Sequence, residues 1–308
     1  MVEGVQQQKQ SCKSNSSMVH PAWGIGGKLM VTVTGTTHSL ADREHRFFIR
    51  SAVLMTLTVF GGFSFQLAMG RSSFAVPVFL HVHAFFFFGW TVLYLVQNVL
   101  AGPERVALHR RLGWLSVVWI PAMVIMGTYA TVLAARTLHV PFFFRPAYFL
   151  IMNLLSLYVF AGLATAAIVM RRRTLWHRRL MFCAMSIILA PAIGRIVPSP
   201  LLMPFTGEIL GMIVLIFPLA GMVHDLRTNG RIHPAWLWGA GAIVVMQISI
   251  DVVAFSPLGP AIYRGVTAGS PGASAAPLAF PPPPWLKPTN SSREPSQSSS
   301  PVEAPGVS

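Results

Sequence analysis

The sequence predicts an all-α fold: a polytopic membrane helix bundle with about seven transmembrane helices and disordered N- and C-terminal tails. Of its 308 residues, 53% are hydrophobic and only 10% are charged, and the mean hydropathy is +0.58. Soluble domains usually carry about 25% charged residues. The second observation is a series of long apolar stretches. The third is that arginines gather in alternate loops between these stretches.

The apolar stretches predict helices rather than strands, because backbone polar groups in lipid must be satisfied within one segment. At about 1.5 Å per residue, roughly 20 apolar residues cross about 30 Å of hydrocarbon. Pro121, Pro191 and Pro218 lie inside the third, fifth and sixth stretches and should bend those helices. The seven stretches are Ser51–Met69, Phe74–Leu100, Leu112–Leu133, Ala147–Met170, Leu180–Val197, Phe205–Leu226 and Trp236–Phe255.

The arginine distribution predicts the orientation. Thirteen arginines flank one end of the spans and five flank the other. By the positive-inside rule, the N-terminus is cytoplasmic and the C-terminus lies outside. We expect the net charge of +14 to serve orientation at a lipid bilayer and not nucleic-acid binding. The thirteen are Arg43, Arg46, Arg50, Arg105, Arg110, Arg111, Arg171, Arg172, Arg173, Arg178, Arg179, Arg227 and Arg231.

The composition divides the chain into three parts. Residues 1–45 are polar, begin with no apolar signal segment, and are predicted to be a disordered cytoplasmic tail. Residues 46–258 form the transmembrane bundle, with residues 74–197 as its core helices. Residues 259–308 are rich in Pro, Ser, Gly and Ala, and we expect them to be a second disordered tail.

Polar residues inside the spans are the candidate functional residues, because ionisable groups are costly in lipid. They fall into two layers. Arg195 should find a carboxylate, which Glu208 or Asp251 could supply, unless it serves only as a structural clamp or extends toward the membrane surface. The inner layer contains Gln97, His109, His177, His224, Asp225 and His233, and the outer layer contains His83, Arg195, Glu208 and Asp251.

The inner histidines suggest b-type haem. His109-Arg110-Arg111-Leu112 opens the third span and His177-Arg178-Arg179-Leu180 opens the fifth. Spans three and five run in the same direction, so His109 and His177 can share one depth and act as axial metal ligands. Arg110 and Arg178 could then pair with the haem propionates. His83 is a possible outer site, because it shares a helix face with Gln97 and His81 does not.

Alternative interpretations remain open at this point. The His-Arg-Arg segments could be interfacial caps that hold anionic lipid, or the bundle could be purely structural. A haem-free transporter, sensor or assembly factor could use His83, Arg195, Glu208 and Asp251 as an outer site. The sequence contains no Walker motif, dinucleotide loop, His-Glu-x-x-His motif or nucleophile elbow, and it leaves open whether the protein is an enzyme.

The spacing of these residues resembles a family of uncharacterised multi-pass bacterial membrane proteins. The resemblance covers residues 79–197: a histidine (His81 or His83) and a glutamine (Gln97), then His109 to Gly113, His177 to Met181, and Arg195. It implies an integral protein of the bacterial cytoplasmic membrane. The layout more distantly resembles cytochrome b561-type four-helix haem cores. That likeness implies one haem on His109 and His177, whereas a second pair lacks a histidine in the fourth span.

Overall fold

A computed structural model describes residues 34–283. Two units are distinguished, residues 1–39 and residues 40–308; the described part of the first is the start of the opening helix. Within the described residues the secondary structure is entirely helical. The helices are α1 (Thr34–Ala68), α2 (Val78–Leu100), α3 (Val106–Gly113), α4 (Leu115–Arg136), α5 (Pro146–Val169), α6 (Thr174–Ile188), α7 (Ala190–Ile196), α8 (Thr206–Asn229), α9 (Pro234–Phe255) and α10 (Leu258–Thr267).

The helix lengths confirm the multi-pass membrane fold. Six helical segments are long and apolar enough to span a bilayer, and the pair α6–α7 makes a seventh if it counts as one span. Large apolar side chains face outward on these helices, including Leu57, Val118 and Val252, each at least 64% exposed. Water would penalise such surfaces, whereas lipid does not. The protein is therefore an integral membrane protein.

The α6–α7 pair is bent by 44° at Leu189. Pro191 follows two residues later and has no backbone N–H to continue the hydrogen-bond ladder, so the predicted bend in the fifth span is confirmed. Pro121 and Pro218, in contrast, lie inside the single helices α4 and α8. The third span is divided differently: α3 carries His109, and α4 begins after Trp114.

The core lies around α5 and α6. Helix α5 packs against α4, α6 and α9, and α2 packs against α4. Phe160, Phe182, Met185 and Trp236 are almost completely buried in this core. The arginine-flanked ends of the helices meet at one end of residues 40–283, which we call the arginine-rich end. The other end is called the opposite end.

Helical structure extends beyond the bundle limits of residues 46–258 on both sides. Helix α1 begins at Thr34, so the described residues 34–45 are helical rather than disordered. Helix α10 lies within the proposed C-terminal tail and packs on α4, α5 and α9. There Tyr263 is 1% exposed, and the backbone N–H of Ala147 donates to the Pro277 carbonyl at 2.9 Å. Residues 1–33 and 284–308 lie outside the described residues.

Candidate functional site

His109 and His177 meet at the arginine-rich end. Helix α3 carries His109 and helix α6 carries His177, each one turn inside the helix start. Their ring centroids are 6.2 Å apart and the ring planes are 87° apart. Both rings are half-buried. The structure thus brings together the two residues that the sequence selected as candidate ligands.

Hydrogen bonds fix the orientation of both rings. The Nδ1 atom of His109 lies 3.1 Å from the Gln97 carbonyl oxygen of α2, and that of His177 lies 2.8 Å from the Ala167 carbonyl oxygen of α5. A carbonyl only accepts, so each Nδ1 must carry the hydrogen and donate it. In the neutral imidazole this leaves the Nε2 lone pair free on both rings. Metal-ligating histidines are usually oriented in this way.

Beside the histidine pair, the Gln97 side chain of α2 lacks hydrogen-bond partners. Both of its polar atoms are buried without a hydrogen bond among the described residues, as is Nε1 of Trp90 further along the same helix. Gly113 lies against the Gln97 amide: a Cβ there would be 3.6 Å from its Nε2. Buried polar groups of this kind usually have a partner.

The arginines that follow the two histidines differ from each other. Arg110 is exposed. Arg178 forms an ion pair with Glu44, and its guanidinium lies 4.9 Å from the centroid of the Phe48 ring. Arg178 is therefore occupied within the protein, contrary to the expectation that it is a free cation for a propionate. Glu44 lies in the segment that the sequence had assigned to a disordered tail.

A buried charged network lies next to the histidine pair, centred on Arg179. This side chain is 1% exposed. Its Nε and Nη2 atoms donate to Asp225 of α8 at 2.9 and 2.6 Å, and Nη2 also donates to Glu44 of α1 at 2.8 Å. Asp225 further accepts from Nε1 of Trp236 at 3.0 Å. The network therefore joins α1, α6, α8 and α9.

Sequence reasoning missed the role of Arg179, which it counted among the loop arginines. The available signal was its spacing: Arg179, Phe182, Cys183 and Ser186 lie on one helix face, and all four are buried. The ring of His224, which the sequence assigned to the inner layer, stacks on Phe47 with centroids 4.0 Å apart.

Arg195 does not form the expected ion pair with Glu208 or Asp251. Its Nη1 donates to the Pro191 carbonyl at 2.7 Å, and the guanidinium lies 4.1 Å from the centroid of the Phe63 ring. Among the described residues, the ion pairs join Glu44 to Arg178 and Arg179, and Arg179 to Asp225. The backbone of Arg195 also accepts from Gln66 of α1 at 2.9 Å. Arg195 thus fastens α7 to α1, as a structural clamp would.

The remaining outer residues form a separate group at the opposite end. Gln247 donates to the Tyr148 hydroxyl at 3.1 Å and to Asp251 at 3.2 Å. Glu208 and Tyr148 line a cavity of about 10 Å³, which has room for about one water molecule. The transporter hypothesis required His83, Arg195, Glu208 and Asp251 to form one site. No ion pair or hydrogen bond joins Arg195 to either carboxylate in residues 34–283.

His83 lies apart from both groups. It stacks on Phe87 with ring centroids 4.3 Å apart and lies near the backbone of Met126 in α4. His81 is exposed, whereas His83 is half-buried, as expected if His83 lies on the inward face of α2. No histidine of α5 is available opposite it.

His233 gives a pH prediction for the loop before α9. Its Nδ1 accepts from the Ala235 backbone N–H at 3.1 Å, and burial, followed by the positive charge of Arg179, lowers the pKa of its imidazole below the ordinary range of histidine. The unfolded chain therefore binds the proton more readily than the folded one. We expect the His233 contribution to stability to be complete above about pH 7 and to fall as pH drops through about 6.5.

The variant His233→Asn tests this expectation, because asparagine also caps helix N-termini but does not titrate. Thermal unfolding of the detergent-solubilised protein should lose less stability between pH 7.5 and 5.5 in the variant than in the wild type. An identical loss in both proteins would contradict the prediction.

Comparison of the chain with family models, with curated proteins and with solved structures found no match. The resemblances proposed from the sequence therefore remain predictions.

Proposed function

We propose that this integral membrane protein binds one b-type haem at the arginine-rich end, with His109 and His177 as axial ligands, and acts in electron transfer or in a redox-assisting role. The observation that carries the proposal is the paired geometry of the two imidazoles. Each ring is held through Nδ1 by a backbone carbonyl of another helix, which leaves two Nε2 lone pairs at the same end of the bundle.

The spacing of the rings fits this role. The ring centroids of His109 and His177 are 6.2 Å apart, so both side chains are close enough to hold one haem iron between them if it binds here. The ligands come from two helices that the core keeps in place, since α5 packs on α6 and α2 packs on both α3 and α4. Haem would supply one-electron chemistry at this position.

The charges near the pair also fit an acidic cofactor. Arg110 and Arg111 follow His109 and are exposed at the arginine-rich end, where they could pair with propionates. Arg178 is held by Glu44, so we assign the propionate role to Arg110 and its neighbour. The unpartnered amide of Gln97 adds a polar group next to His109.

A single haem at one end favours a redox role on one side of the membrane. Electron transfer across the bilayer would need a second centre, and His83 lacks a histidine partner on the facing helices α4 and α5. The orientation predicted from the arginines would place the haem at the cytoplasmic face. The redox partner would then be a cytoplasmic or inner-leaflet component.

Titration of the purified full-length protein with haemin tests the proposal. We expect the Soret absorbance to saturate at one haem per chain and to give a six-coordinate, low-spin spectrum. Zn²⁺ is the control for a site that takes a bare metal ion instead. Saturable zinc binding with no haemin binding would contradict the haem assignment.

A further inference from the structure

A second site lies at the arginine-rich end, between α1 and α8 and separate from the histidine pair. A cavity of about 410 Å³ opens there, within the volume range of small-molecule binding pockets. It is lined by Arg43, Arg46, Phe47, Arg50, Ser51, His224 and Thr228. From this cavity we infer that the protein binds a phosphate-bearing anion at this position.

The helix periodicity brings the donors together. Positions 43, 46, 50 and 51 recur at the spacing of one face of a helix, and positions 224 and 228 are one turn apart on α8. The Thr228 hydroxyl donates to the His224 carbonyl at 2.7 Å, so the guanidinium groups of α1 are the main donors to an anion here. The two helix faces thus surround the cavity with guanidinium, imidazole and hydroxyl groups.

The charge of this cavity is uncompensated by the described protein. No acidic side chain lines it. Glu44, on the same turn of α1, is engaged by Arg178 and Arg179 instead, and Asp225, next to His224, is engaged by Arg179. Arg43, Arg46 and Arg50 therefore have no carboxylate partner among residues 34–283, and an anion would supply the missing charge.

The imidazole of His224 lines the cavity beside these arginines, and its ring is fixed by stacking on Phe47. Guanidinium groups bind phosphate through parallel hydrogen bonds, and basic pockets at the ends of transmembrane helices bind lipid headgroups. The cavity lies at the start of one span, Asp42–Ala68, and at the end of another, Thr206–Asn229.

Calorimetric titration of the full-length protein in an uncharged detergent tests the inference. The probes are inorganic phosphate, a short-chain phosphatidylglycerol and a short-chain phosphatidylcholine as the zwitterionic control. We expect the triple variant Arg43→Gln, Arg46→Gln, Arg50→Gln to weaken binding of the phosphate-bearing anion by about tenfold or more. The matched control replaces Arg171, Arg172 and Arg173 with glutamine in the same way. These arginines are also exposed at this end, and their replacement should change the affinity less than about twofold.

The probes distinguish the two sources of the anion. Binding of phosphatidylglycerol that inorganic phosphate does not displace supports a lipid headgroup, whereas competition between the two supports a soluble phosphate ligand. A variant with three lysines in place of Arg43, Arg46 and Arg50 should keep part of the affinity, because it keeps the charge. The inference is overturned if neither anion binds saturably, or if the control triple variant loses as much affinity as the cavity variant.

Discussion

Arg179→Ala is expected to destabilise the protein by about 3–5 kcal/mol, because it leaves Asp225 as an uncompensated buried charge. Asp225 is 1% exposed, and its remaining partners are Nε1 of Trp236 and the backbone N–H of His233. Both of these donors are neutral, so neither offsets the negative charge of the Asp225 carboxylate. Glu44 would also lose a partner, so the contact of α1 with α6 should weaken as well.

Two further variants separate charge from shape at this position. Arg179→Lys keeps the charge but cannot bridge Asp225 and Glu44 with a planar fork, so its stability should fall between wild type and Arg179→Ala. Arg172→Ala, at an exposed position of the same end, should change stability by less than about 0.5 kcal/mol. The measurement is unfolding in mixed detergent micelles. Equal stability of Arg179→Ala and Arg172→Ala would show that the buried network does not hold the bundle.

The second large effect concerns the haem. If the proposed haem binds, His177→Ala and His109→Ala should each weaken its binding by more than about 100-fold, because each variant would remove one of the two proposed ligands rather than a supporting group. The bundle should remain folded, since both rings are half-buried and lie at the helix starts. Haem retained after size-exclusion chromatography measures the effect.

His81→Ala is the matched control for these variants. His81 is exposed on α2, so the His81→Ala variant should retain as much haem as the wild type does. If His109→Ala and His177→Ala also retained wild-type amounts of haem, the two histidines could not be its ligands, whatever the colour of the preparation.

The membrane fold could be predicted from the sequence because lipid imposes long apolar segments, and that constraint is local. The pairing of His109 with His177 was also predictable, since co-directional spans bring equivalent positions to one depth. The partner of Arg195 was not. The 44° bend at Leu189 turns α7, which carries Arg195, away from the straight continuation of α6, so helix periodicity alone does not predict what Arg195 contacts.

The charged network and the tails illustrate a different limit. Arg179 was counted with the loop arginines because its buried partner Asp225 lies 46 residues away, and only packing shows that they meet. Helix α10 was missed because its segment is rich in small residues and proline, which composition alone assigns to disorder. Its order depends on tertiary contacts, such as the Arg136 guanidinium donating to the Val266 carbonyl at 2.8 Å.

The most direct test of the haem assignment is the reduced-minus-oxidised absorbance spectrum of the full-length protein, purified in detergent from cells supplied with haem. The assignment predicts the sharp α and Soret bands of a low-spin b-type haem in the wild type and their loss in the His109→Ala, His177→Ala double variant. A colourless wild-type protein, or bands that persist unchanged in the double variant, would contradict it.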